Sequence, residues 1–130
     1  MYASNETDID VAFATLVKQG VGALMVTADP FLLGPRQKIV QLAATHAVPT
    51  IYFSREFVDV GGLMSYGANL ATGYRQVGVY TGRILRGEKP ADLPVVQSMK
   101  FDFVVNLKTA NALGLDIAPG LIALADEVIE

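Results

Sequence analysis

Residues Gly22-Ala23-Leu24-Met25-Val26-Thr27 are apolar almost throughout and do not alternate. A strand with one wet face alternates, whereas a strand covered on both faces does not; such strands belong to parallel sheets. A helical pattern comes just before this run. Ile9, Ala12, Phe13, Leu16 and Val17 fall on one face at i, i+3, i+4, i+7, i+8 spacing. Ser4 to Asp8 reads as the start of that helix, with Thr7 as its cap and Asp10 three residues on. Gly20 stands where a helix C′ glycine would.

The alternation of helix and strand continues along the chain. Pro35 opens a second helix whose inner face is Ile39, Leu42, Ala43 and Ala47. Residues 48–53 form the second strand, with Pro49 tolerated at its start. A helical turn over 56–58 closes at Gly61-Gly62, and 63–66 is a third strand. The longest helix spans 69–86 with Leu70, Tyr74, Val77, Thr81, Ile84 and Leu85 as its stripe. Gly73, Gly78 and Gly82 weaken it by roughly 1 kcal/mol each relative to alanine. Gly78 and Gly82 share a face and would admit another backbone closely. After Gly87 and a loop over 88–94, residues 95–106 read as β structure, with Phe101, Phe103 and Val105 alternating against Lys100 and Asp102. Asn106 caps a helix through Ala112, and a last helix runs from Pro119 through Leu121, Leu124, Ala125 and Val128. This order predicts an α/β fold, a parallel sheet flanked by helices on both faces, in one domain over 1–130. Such a lobe normally opens on a strand. This one opens on a helix, so the sheet is expected to be incomplete.

Composition removes several chemistries. There is no cysteine, hence no disulfide, thiol nucleophile or thiolate metal site. The single histidine, His46, sits at a helix end with nothing placed to orient it, and one histidine does not make a metal site. No G-x-G-x-x-G turn joins a strand to a helix, so no dinucleotide cofactor is expected. Net charge is −3 with no basic stripe, which argues against nucleic acid. The N-terminal residues show neither a basic nor an apolar leader segment, so no signal peptide is read in this chain. The expectation is a binding protein without catalytic residues, cofactor or metal.

Open α/β sheets hold ligands at the carboxyl ends of their strands. Here the strand ends carry Asp29-Pro30-Phe31, Tyr52-Phe53-Ser54-Arg55-Glu56 and Ser65-Tyr66-Gly67-Ala68-Asn69, with Asn106 a weaker fourth. Tyr66 offers a flat apolar face and a hydroxyl. Arg55 has the fork geometry for a carboxylate. Asp29 suits an amine or hydroxyl. Each also has a plain structural reading: Asn69 as a helix cap, Arg55 and Glu56 as a solvated pair, Asp29 bonding its own backbone.

Several stretches together resemble a known family. They are Ser4-Asn5-Glu6-Thr7-Asp8-Ile9-Asp10, Ala23 to Pro30, Val48-Pro49-Thr50-Ile51-Tyr52, Gly61 to Gly67, Tyr74 to Gly87, Ala91 to Val95, and Asn106 to Ala110 with Leu113-Gly114-Leu115. The chain resembles bacterial ABC-transporter substrate-binding proteins of the tryptophan-binding-like type, with the type I periplasmic binding fold. The resemblance implies a Rossmann-like C-terminal lobe, partial here, whose helix 69–86 packs on an N-terminal lobe in a longer parent. It implies a small organic solute, aromatic or amino-acid-like, gripped between lobes by Asp29, Phe31, Tyr52, Ser54, Arg55, Glu56, Ser65, Tyr66 and Asn69. It also implies an extracytoplasmic parent that docks on an ABC permease. The uncovered helix stripe predicts self-association, with exchange of elements as one route. A ligand-sensing domain of a regulator and a small α/β enzyme using Asp29 or Glu56 are the alternatives.

Overall fold

A computed structural model describes residues 3–96 and 101–130. The first helix, α1 (Glu6–Gln19), starts one residue before Thr7. Asn5 is the cap, taking the Asp8 N–H at 2.9 Å. Asp8 in turn accepts the Ser4 N–H at 2.8 Å, so two donors near the helix start are satisfied reciprocally. Hydrogen bonds to its carboxylate from the Ser4 N–H first, then from the Ser4 hydroxyl and Asn5, hold the Asp8 carboxyl below its usual value. Asp10, expected in the cap, instead ion-pairs with Lys38 at 2.8 Å. Gly20 closes the helix in the left-handed region at φ 63°.

Strand β1 (Leu24–Val26) follows, then a one-turn helix α2 (Pro30–Leu33) capped by Asp29, and α3 (Arg36–Thr45). The short α2 is an element that the sequence pattern did not announce. Next come β2 (Thr50–Tyr52), α4 (Arg55–Val58), β3 (Met64–Ala68) and α5 (Leu70–Leu85). A single 3₁₀ turn at 90–92 leads towards β4 (Phe101–Asn106), α6 (Leu107–Ala112), α7 (Pro119–Ala123) and β5 (Glu127–Ile129). The expected β segment from Val95 is narrower: Val95 and Val96 are not strand, and 97–100 lie outside the described residues.

The expected helix through Val128 is a strand from Glu127. Asp126 causes the change. Its carboxylate accepts the Phe103 N–H at 2.8 Å, and its own N–H donates to the Phe103 carbonyl at 2.8 Å. This reciprocal pair draws Glu127-Val128-Ile129 onto the edge of β4, in register Val104↔Glu127 to Asn106↔Ile129.

The five strands lie in the order β1-β2-β3-β4-β5. The pairs β1–β2, β2–β3 and β4–β5 are parallel, while β3–β4 is antiparallel. The sheet is therefore mostly parallel with one reversal, not wholly parallel. A hydrophobic cluster covers one face, where Ile9 and Phe13 of α1, Ile39, Val40 and Ala43 of α3, and Phe57 of α4 meet Val26 and Tyr52. Each such large side chain contributes about 1.5–3 kcal/mol when fully buried. The other face is partly open. Met25, Tyr66 and Phe101 are 69%, 59% and 49% exposed. β1 is thus covered on one side only, contrary to its unalternating sequence.

Helix α5 buries no residue, and Tyr74, Val77 and Leu85 stand 74%, 62% and 82% exposed. Two side-chain bonds join it to the segment that follows: the Tyr80 hydroxyl donates to the Pro94 carbonyl at 2.6 Å, and Arg83 pairs with Glu88.

Candidate functional site

Because β1, β2 and β3 run parallel, their carboxyl ends leave the same rim of the sheet. Segments 29–31, 53–56 and 66–69 therefore stand side by side, as expected. Asn106 does not join them. The reversal at β4 carries it to the opposite rim, where it caps α6 by accepting the Thr109 N–H at 3.1 Å. The start of β4, Phe101 and Asp102, comes to the rim in its place.

Two packing contacts fix β3, one near each end. A Cβ on Gly67 would lie 1.7 Å from the Phe53 carbonyl oxygen, so only glycine lets β3 pass the end of β2. A Cβ on Gly62 would meet the Phe57 carbonyl at 2.7 Å and the Tyr52 ring at 2.8 Å.

The nine nominated residues divide by accessibility. Tyr52 is 2% exposed and stacks on Phe57 at 4.7 Å. Burial pushes its hydroxyl up to about 12, against a small opposing effect of the hydrogen bond with Thr50. Ser65 is 1% exposed with no partner for Oγ, and Ser54 is 2% exposed and donates to Glu56. These three side chains are buried and build the floor under the rim.

Arg55 is reachable but engaged. Glu127 holds its guanidinium at 3.0 and 3.3 Å, and Asp59 at 3.3 Å. Glu127 first, then Asp59, raise its already high pKa further. The fork that suits a ligand carboxylate is filled by carboxylates of this chain.

The remaining five residues face outward to different degrees, Glu56 being half-buried and accepting the Ser54 hydroxyl. Asp29 is exposed and accepts the Phe31 N–H at 2.8 Å, while Phe31 packs partly against the core. Asn69 accepts the Thr72 N–H at 2.8 Å as the α5 cap and donates to Asp102. The Tyr66 ring stacks on Phe101 at 5.6 Å and 21°, with Phe103 edge-on at 6.4 Å. Phe101 and Asp102 escaped nomination. Their alternation was visible in the sequence, but the reversed strand direction that brings them to the rim was not.

A hollow of about 250 Å³ opens beside Tyr66, with Met25, Thr27, Ile51, Tyr52 and Phe53 among its lining residues. It is apolar and smaller than the roughly 300–1,000 Å³ of complete small-molecule sites. A wider groove of about 770 Å³ between α3 and α4 contains none of the strand-end residues. Position at the strand ends outweighs size, so the smaller hollow is the better candidate. Among the described residues no three His, Cys, Asp or Glu side chains are grouped to hold a metal ion. No described helix is long and apolar enough to cross a membrane.

The carboxyl ends of parallel strands meeting at one rim are where open α/β sheets hold ligands. The chain belongs to the ABC transporter substrate binding protein family, whose model matches residues 1–129. Among solved structures, an ABC domain in complex with L-Trp from Streptococcus pneumoniae is 25% identical with a TM-score of 0.86. The match covers 98% of this chain and 44% of that one. A conserved domain protein from Vibrio cholerae O1 biovar El Tor is 21% identical with a TM-score of 0.85, covering 97% and 42%. The ligand-free, open structure of a substrate binding protein with adhesive properties from Clostridium difficile is 22% identical with a TM-score of 0.62, covering 98% and 42%. The chain thus spans less than half the length of these solved proteins. A search of curated proteins found no match.

Proposed function

We propose that residues 1–130 act as the C-terminal ligand-binding lobe of an ABC importer's extracytoplasmic receptor. The lobe takes a small aromatic or amino-acid-like solute at the β1–β2–β3 rim. The observation that carries this reading is the exposed Tyr66–Phe101 pair beside an apolar hollow at the carboxyl ends of three parallel strands. A flat ring would lie against Tyr66 and Phe101, and Asp29, Glu56 and Asn69 would meet its polar groups. Arg55 serves the site indirectly, by holding α4 to β5 through Glu127.

A second lobe would close over the solute, exclude water and dock on the permease. In that parent the α5 stripe packs on the second lobe; alone, it drives this chain to self-associate, since Tyr74, Val77 and Leu85 otherwise face water.

Calorimetric titration with L-tryptophan tests the reading. Half a site should bind weakly, with Kd on the order of 1 mM, about −4 kcal/mol. Tyr66→Ala and Phe101→Ala should each weaken binding by up to about tenfold, the worth of a lost aromatic stack. Equal affinity in the parent chain and both variants removes the assignment.

A further inference from the structure

Helix α5 is joined to the sheet at two neighbouring points. It leaves from the end of β3, and the chain returns at the start of β4. These two ends pair with each other, Ala68↔Phe101 and Gly67↔Asp102. Since α5 buries nothing, its direction depends on how this paired exit is held.

The exit is gripped on both faces of the sheet. On one face Tyr66 stacks on Phe101, with Phe103 against its edge. On the other, the Asn69 side chain does two things at once. Its Oδ1 accepts the Thr72 N–H in the first turn of α5, and its Nδ2 donates to Asp102 on β4. One side chain therefore connects the helix to the neighbouring strand. Asp102 is only 9% exposed, so its carboxylate is fixed by the sheet around it.

We propose that Asn69 and Asp102 form a latch that sets the direction in which α5 leaves the sheet, with Asp102 as a positioning residue. The inference rests on the solute-binding reading for its consequence. An amide has two N–H groups and two carbonyl lone pairs. The helix cap and the latch use one of each, leaving one of each for a solute at the rim. A solute bound at Asn69 thus touches the residue that aims the α5 arm. It biases the direction of the arm by as much as it prefers the latched or the unlatched state.

The chain has no cysteine, so labels can be placed cleanly. Arg75→Cys on α5 and Lys108→Cys on α6, both at exposed positions, carry spin labels. Pulsed electron resonance then measures the distance distribution between them, with a tenfold excess of unlabelled protein to remove distances between copies. Asn69→Ser keeps a good helix cap but is too short to reach Asp102. Asp102→Ala removes the acceptor, and Asp102→Asn restores one. The expected result is a narrow distribution in the parent chain and in Asp102→Asn. Asn69→Ser and Asp102→Ala should be at least twofold wider, at unchanged helical circular dichroism. If Asp102→Ala does not fold, Asn69→Ser alone decides. Superimposable widths in folded parent and Asn69→Ser overturn the latch. The measurement uses no ligand, so its failure leaves the solute-binding reading to be judged by the titration.

Discussion

Gly67→Ala is the sharpest test of how the rim is built. The added methyl would sit 1.7 Å from the Phe53 carbonyl oxygen and 2.8 Å from its carbonyl carbon. Contact becomes ordinary only beyond 3.4 Å, and both atoms are backbone, so no rotamer change relieves the clash. Strand β3 or the segment after β2 must retreat by a large fraction of the ~4.8 Å spacing between strands. Moving the end of β3 disturbs its pairing with Asp102 and the Tyr66–Phe101 stack. Lost hydrogen bonds at about 1 kcal/mol each, with the lost stack at about 0.5–1.5, put the cost near 3 kcal/mol or more. For a domain of this size that lowers Tm by about 10 °C. Gly78→Ala is the control. Nothing lies within 4 Å of a Cβ there, and the site is inside α5. It should stabilise the helix by about 0.5–1 kcal/mol. Urea and thermal unfolding followed by circular dichroism measure both. A Gly67→Ala cost below about 1 kcal/mol would refute the close approach of β3 to Phe53.

Two further outcomes follow from the same geometry. Ionising Tyr52 should destabilise the fold at high pH. Its folded pKa, about 12, lies above the ~10 of an exposed tyrosine. The folded state therefore holds the proton more tightly, and the stabilisation is complete below pH ~10. It falls as pH rises towards 12, by about 2–3 kcal/mol in all, and Tyr52→Phe should abolish that slope. Ultraviolet titration of the five tyrosines should show one ionising after the others; a single common transition in folded protein contradicts the burial. Glu127→Gln should release Arg55 for a solute carboxylate. Affinity for L-tryptophan should then rise severalfold relative to L-tryptophanamide, at a stability cost within about 1 kcal/mol because the pair is part exposed. An unchanged ratio would show that the Arg55 fork is not what Glu127 withholds.

Most of the fold was legible where local chemistry and periodicity agree. Gly20, Asn69, Gly87 and Asn106 mark helix ends in the sequence and do so in the structure. What failed depends on partners distant in sequence. Asp126 turns the C-terminal segment into a strand because Phe103 lies beside it, and no window around Val128 contains that information. The antiparallel placement of β4 is of the same kind. Alternation in 101–105 shows a strand but not its direction, so Asn106 was assigned to the wrong rim. The uncovered outer face of β1 also escaped, since an unalternating run records what a strand is built to meet rather than what covers it here.

The site shows the same division at finer scale. Sequence position located the rim, because strand ends in a parallel sheet converge whatever side chains they carry. It did not give side-chain direction. In β2 and β3 the side chains alternate between faces, so Tyr52 and Ser65 point into the core while Tyr66, one residue on, points out. Arg55 was read by type as a carboxylate binder, and it is one, but its carboxylates come from Asp59 and from Glu127, 72 residues away. A rim whose one cation among the described residues, Arg55, is already paired, beside exposed Asp29 and partly exposed Glu56, should favour solutes presenting donors or an amine over a bare acid. An amino acid would then turn its ring to Tyr66 and Phe101 and its ammonium to this lobe, leaving its carboxylate for the opposite wall of the cleft.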